Sequence, residues 1–428
     1  MNLIPLSTEQ APPISIPLRF FGVAPLFLAL AALVLAFDGG NPFDNLHNPA
    51  LLGATHCITL GFISMAMLGA MQQLLPVVIG STLPAPRLVA WSSQLLLVAG
   101  TLLLCFGFML GKTGLFTFAW PLLGAAFTIF ISASLFSIAR AAVRNDSKTA
   151  MVLAILALGV AVILGMLLAH GYAGGRALNY PALAAAHIST ALGGWVMLLV
   201  AGVSYQVVPM FQLTPAYPKW LTASLAPVMF ATLALHLTAL LFEATPHWFD
   251  LAAQNLFWLY AIVFSSTTLV LQYRRRRSIP DATLAFFRLG MGTLLCLAIL
   301  SLALQGTSVP ESLRILAGIL FIVGFTMSLI FGMLYKIVPF LVWFHLFRSA
   351  TKTDIPNMKI IIPEVWMWRH FWLHGCTLAT ALLSLLWPVT AWLFMLCLVM
   401  QSALFSRVLY RAIALYRQTL GKIEQEAS

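Results

Sequence analysis

Nine histidines stand in this 428-residue chain among few other residues able to do chemistry. Four of them fall at matching places in its apolar stretches. His56 lies 20 residues before Pro76 (76 − 56), and His187 lies 22 residues before Pro209 (209 − 187). The two stretches run in the same direction, so these imidazoles share a depth near the outer face. His236, late in the following stretch, and His170, at the end of the preceding one, fall close to that depth. In hydrocarbon an unpartnered ring nitrogen is costly, so each ring needs a hydrogen-bond partner or a metal. Imidazole suits both copper and haem iron. His187 and His236 are expected to bind one copper ion, with His170 as a third ligand. Two neutral imidazoles suit Cu(I), which accepts low coordination. The competing expectation is that each ring bonds a backbone carbonyl or a hydroxyl such as Thr190 or Thr238.

The other histidines carry weaker signals. His370 and His374 are one helical turn apart, a spacing that can place two imidazoles on one metal. Their neighbours Trp366, Trp368 and Arg369 favour an aromatic belt at the inner membrane surface instead. His47, His247 and His345 have no companion. All twelve acids fall in loops, tails or helix ends, and none is placed mid-membrane. A proton pump built on an embedded carboxylate is thereby excluded. Lys336, about one turn from the inner end of its stretch, is expected to snorkel to the surface. Its alignment with Gln73 and Gln206 also allows a polar role between helices.

Long apolar elements must position these groups. Hydrophobic residues make up 61% of the chain and charged residues 8%, against about 25% charged in a soluble domain. Mean hydropathy is +0.96. Twelve spans are expected, beginning near Arg19, Leu51, Leu88, Phe116, Ala150, Pro181, Trp220, Leu251, Thr283, Ser312, Phe371 and Val389. No cleavable signal peptide is expected, because the polar, Pro-containing N-terminus leads into a full-length span. Lys112, Arg176 and Arg314 are the only Lys or Arg in the loops of one side. The other side carries Arg87, Arg140, Arg144, Lys148, Lys219, the run Arg274 to Arg277, Arg348, Lys352, Lys359 and a basic tail. Both termini are therefore expected in the cytoplasm. The net charge of +11 reflects this topology and contact with anionic membrane lipids, not nucleic acid. The five cysteines show no paired spacing and read as small packing residues.

Three of the spans share one fingerprint: Gly61–Gly69–Pro76, Gly194–Gly202–Pro209 and Gly324–Gly332–Pro339. Four residues before each Pro stand Gln72, Tyr205 and Tyr335; three before stand Gln73, Gln206 and Lys336. The Pro-to-Pro intervals are 133 (209 − 76) and 130 (339 − 209) residues, room for about four spans each. The fold class expected is an all-α polytopic membrane protein of twelve transmembrane helices in three four-helix arcs. Residues 1–428 form one transmembrane domain with internal repeats centred on spans 2, 6 and 10. Gly61, Gly194 and Gly324 should mark close helix contacts, and the three prolines should mark kinks or helix ends.

This plan, with a His early in span 2, a His early in span 6 and a His late in span 7, resembles the heme-copper oxidase catalytic subunit. The segments HCITLGFISMAMLGAMQQLLP (56–76) and HISTALGGWVMLLVAGVSYQVVPMF (187–211) look similar to subunit I-like membrane proteins. The NnrS proteins of nitric-oxide metabolism share the plan. The resemblance implies haem b on His56 and copper on His187. It also implies a His pair at the end of span 7, where His236 is followed by Leu237. Span 10 of the family carries two histidines; Ser312 to Ile330 has none. The parts for reducing oxygen to water are incomplete. The expectation is a haem- or copper-binding relative that is not an oxygen reductase, sited in a bacterial inner membrane. Its role would lie in sensing, metal or haem handling, or nitric-oxide-linked stress. The alternatives are a small-molecule transporter or channel without metal, and an assembly partner of a respiratory complex.

Overall fold

A computed structural model describes residues 12–39, 41–174, 179–242, 245–277, 279, 281–349 and 354–427. Glu9, Arg176, Glu243 and Lys352 lie outside the described residues. The protein is 84% helical, with no strand among the described residues. We number the long helices in chain order. They are α1 Ser15–Phe37, α2 Pro49–Ile79, α3 Pro86–Leu110, α4 Thr113–Arg140, α5 Asp146–Tyr172 and α6 Tyr180–Gln212. Next come α7 Lys219–Leu241, α8 His247–Tyr273, α9 Ala282–Ala303 and α10 Glu311–Ser349. The last two are α11 Glu364–Leu383 and α12 Ala391–Ala427.

Eleven of these helices are long and apolar enough to cross a membrane, and the chain is a multi-pass membrane protein. The exception is α11, whose Trp366, Arg369, His370 and His374 hold its hydropathy down. Eleven helices begin within four residues of the positions expected from sequence. The twelfth, α11, begins at Glu364 rather than Phe371: Pro363 stands at its N-cap, and the polar turns before Phe371 are already helical.

Local chemistry explains the starts. Asn48, Asn145, Asn179 and Asp281 each cap a helix by accepting from backbone N–H groups of the first turn, which satisfies donors that the helix leaves orphaned. Pro218, Pro246, Pro310 and Pro363 stand at the N-caps of α7, α8, α10 and α11. Pro25 interrupts α1 between two α-helical pieces.

Packing follows a regular scheme. A Cβ placed on Gly61 would lie 2.1 Å from the Phe27 ring, and one on Gly69 would lie 2.6 Å from Phe20 Cβ. On α6, Gly194 and Gly202 each present the same 2.6 Å approach, to Ala157 and Ala150 of α5. On α10, Gly324 and Gly332 approach Thr293 and Phe286 of α9 to 3.0 Å. In each case the two partners stand seven residues apart on the preceding helix. Small residues allow backbones to approach this closely where hydrocarbon supplies no hydrophobic drive.

The same three helices share a backbone feature. Each contains an eight-residue π-helical stretch: Cys57–Ser64, Ser189–Val196 and Leu320–Met327. These start 132 (189 − 57) and 131 (320 − 189) residues apart. Pro76 and Pro209 lie in the last turn of α2 and α6, whereas α10 continues past Pro339 to Ser349. Neighbouring helices pack in sequence around the bundle, and α12 closes on α1.

Candidate metal centre

His56 is the last α-helical residue before the π stretch of α2, and His187 stands two residues before that of α6. The His56 Nδ1–H donates to the Leu52 carbonyl one turn back, at 2.7 Å. The His187 Nδ1–H donates across to the Ala161 carbonyl of α5, at 2.9 Å. Gly165 of α5 makes that reach available, since a Cβ there would lie 2.9 Å from His187 Cε1. The two imidazoles meet with ring centroids 6.5 Å apart and planes 14° from parallel. Phe108 of α3 packs against His56, with centroids 5.8 Å apart. Both rings are half-buried.

The tautomers follow from these bonds. A carbonyl only accepts, so each Nδ1 carries the proton and each Nε2 holds a free lone pair. Among the described residues neither Nε2 has a hydrogen-bond partner. A backbone carbonyl on the distal nitrogen is the usual way a protein orients a metal-binding imidazole. Metal–nitrogen bonds are about 2.0 Å, and a ring centroid lies about 1.1 Å behind its nitrogen. Two imidazoles on one metal atom then have centroids separated by about 6.2 Å, close to the observed spacing. The spacing of the ring centres is compatible with linear coordination of one ion.

The structure sets the His187 ring beside that of His56. The His236 Nδ1 pairs with the Asp250 carboxylate at the start of α8, which also accepts from Gln254 Nε2 at 2.9 Å. His170 is exposed and sits edge-on to Trp120, 5.8 Å between centroids. Among the described residues no three His, Cys, Asp or Glu side chains form a group able to hold a metal. His170, His187 and His236 are thus not assembled as a trio. The hydroxyls weighed as partners do not reach the rings. Thr190 donates to the Ala186 carbonyl and Thr238 to the Ala234 carbonyl, each at 2.8 Å.

A second polar cluster departs from the sequence expectation. His370 and His374 are not at the surface; both are fully buried between α10, α11 and α12. Tyr335 Oη lies 2.7 Å from His370 Nδ1, and Ser328 Oγ lies 2.8 Å from His374 Nε2. The remaining ring nitrogens converge on the Gln401 amide, at 3.3 Å from His370 Nε2 and 3.0 Å from His374 Nδ1. The other end of that amide meets Thr377 Oγ1. All four ring nitrogens are occupied, so no lone pair remains for a metal. Ser328 and Gln401 carry no sequence signal as the cluster's partners; Tyr335 carries only its alignment with Gln72 and Tyr205.

Other residues also found partners. Lys336 Nζ bonds Asp281 Oδ2 at 3.2 Å and so joins α10 to the cap of α9 rather than reaching only for the surface. His345 contacts the Leu341 and Pro12 carbonyls at 2.9 and 3.2 Å. Cys57 and Cys105 are buried, whereas Cys296 and Cys376 are exposed on the bundle's outer surface. Among the described residues, buried polar atoms of Gln72, Gln73, Thr101, Ser134 and Tyr205 have no hydrogen-bond partner. No model of a known protein family matches this chain, and no curated protein matches it.

Proposed function

We propose that this protein binds copper in the membrane, as Cu(I), between His56 and His187. The observation that carries the reading is the pair itself. Two imidazoles from separate helices meet with ring centroids 6.5 Å apart, each locked by a carbonyl on Nδ1 and, among the described residues, without a partner on Nε2. A pair of neutral nitrogen ligands with no carboxylate suits a soft monovalent ion of low coordination number. The role would be metal handling or sensing, including nitric-oxide-linked stress, rather than oxygen reduction. Haem b on His56 is the second form of the same reading, favoured by the carbonyl bond that orients the ring through Nδ1. Metal analysis and the visible spectrum of purified protein test both. Copper near one per chain that falls in His56→Ala and in His187→Ala supports the copper site; a haem spectrum lost in His56→Ala supports haem. Neither metal in the wild type refutes the proposal.

The wider frame belongs to the same proposal. α11 is the twelfth span, and the helices form three four-helix arcs like those of heme-copper oxidase subunit I. The recurring Gly contacts, the π stretches and the closure of α12 on α1 support it. The chain would sit in a bacterial inner membrane with both termini in the cytoplasm, as the Lys and Arg distribution favours. Assembly with a respiratory complex would show as co-purification with an oxidase or reductase. One observation favours a transporter instead. Gln72, Gln73, Thr101 and Ser134 carry buried polar atoms without protein partners within the first four helices, as the lining of a polar path would. Substrate-dependent uptake into proteoliposomes, unchanged by His56→Ala, would favour that reading.

A further inference from the structure

At the end of the bundle where α11 begins, α11 and α12 enclose a small pocket unrelated to the histidine pair. Ile361, Ile362 and Val408 give it an apolar floor, and Trp366, Arg407 and Arg411 complete its wall. The guanidinium of Arg407 lies 4.9 Å from the Trp366 ring centroid, and that of Arg369 lies 4.7 Å from it. Two like charges are thus gathered on one indole, with Arg411 one turn further along α12. Among the described residues no carboxylate forms an ion pair with Arg369, Arg407 or Arg411. Glu364 is the acid nearest in sequence, at the first position of α11.

Converging cations with no acid between them need an anion, and guanidinium matches phosphate oxygens with two parallel hydrogen bonds. The indole holds the cations by its quadrupole without neutralising them. The apolar floor favours a phosphate that arrives on a hydrocarbon-bearing molecule. We propose that this pocket binds the phosphate of an anionic phospholipid, with Arg407 and Arg411 as its ligands and Arg369 as a flanking charge. Free phosphate shares the charge but not the attached apolar part. The basic run Arg274 to Arg277 differs, because Arg277 is paired with Asp281 and Arg275 bonds the Ile279 carbonyl.

The test uses the full-length protein, delipidated and returned to nanodiscs of phosphatidylcholine with graded phosphatidylglycerol. Lipid retained per protein is read by native mass spectrometry. Each basic residue at an anionic surface contributes about fivefold, so the pair should give phosphatidylglycerol a preference of about 20–30-fold over phosphatidylcholine. R407Q/R411Q should abolish that preference, and R407K/R411K should retain part of it. The equal-charge control R274Q/R276Q should lower it by less than R407Q/R411Q does. Thermal unfolding in pure phosphatidylcholine verifies that each variant is folded. Equal loss in the control would reduce the effect to surface charge and overturn the site. No headgroup preference in the wild type would also overturn it. Stabilisation by inorganic phosphate alone, abolished by R407Q/R411Q, would overturn the lipid assignment in favour of a soluble anion.

Discussion

Replacing Gly194 with Ala tests whether helix spacing sets the geometry of the histidine pair. The new methyl would sit 2.6 Å from Ala157 Cβ, against about 3.5–4.0 Å for relaxed carbon contacts. Neither carbon belongs to a flexible side chain, so α6 must move from α5 by about 1 Å. Overpacking of this kind costs about 1–3 kcal/mol. The displacement should also reach the metal ligand. Ala161, which accepts from His187, lies one turn beyond Ala157, and His187 lies two turns before Gly194. Loss of an orienting hydrogen bond on a ligating imidazole lowers metal affinity by on the order of 10–100-fold. The control is Gly159→Ala on α5, where a Cβ meets nothing within 4 Å. That change should leave copper affinity intact and stabilise by up to about 1 kcal/mol through helix propensity. The assay is thermal unfolding in detergent, paired with Cu(I) competition against a chromophoric chelator. Unchanged stability in Gly194→Ala, or equal effects in the two variants, would refute the reasoning.

Further outcomes follow from other parts of the bundle. Gln401→Leu should destabilise by about 1–3 kcal/mol for each imidazole nitrogen it orphans, while leaving bound copper unchanged; chemical unfolding and metal analysis read the two effects. His236→Ala should likewise leave copper content at the wild-type level, because the proposed ligands are His56 and His187 and the His236 ring is paired with Asp250. Burial pushes the Asp281 carboxyl up, but the Thr283 hydroxyl, the Lys336 ammonium and the Leu284 N–H outweigh it and hold the group below its usual range. A depressed carboxyl stabilises the fold above its unfolded value, near 3.9, and the contribution fades as pH falls through the folded value. An acid-unfolding scan should therefore show wild type losing its advantage over Asp281→Asn below about pH 4.

The similar depth of His56 and His187 was legible because they stand 20 and 22 residues before Pro76 and Pro209. Their meeting was not, because spacing gives depth and not the order of helices around a bundle. The sequence argument paired His187 with its chain neighbour His236. The α7–α8 turn instead brings Asp250, only 14 residues on, against His236. The His370 and His374 cluster was misread because Trp366, Trp368 and Arg369 beside them resemble an interfacial belt. Its partners come from positions 328, 335 and 401, which only the packing of three helices brings together. The glycine contacts were readable because Gly is the one residue that permits backbones to close to that distance. The π stretches left no trace in composition.

X-ray absorption at the copper edge of copper-loaded wild-type protein tests the central claim most directly. The account predicts a Cu(I) spectrum with two nitrogen scatterers at about 2.0 Å, showing the outer-shell pattern of imidazole and no sulfur. The signal should be lost in His56→Ala and in His187→Ala. Sulfur scattering from Cys57 or Cys105, three or more nitrogen ligands, or an unchanged spectrum in either variant would contradict it.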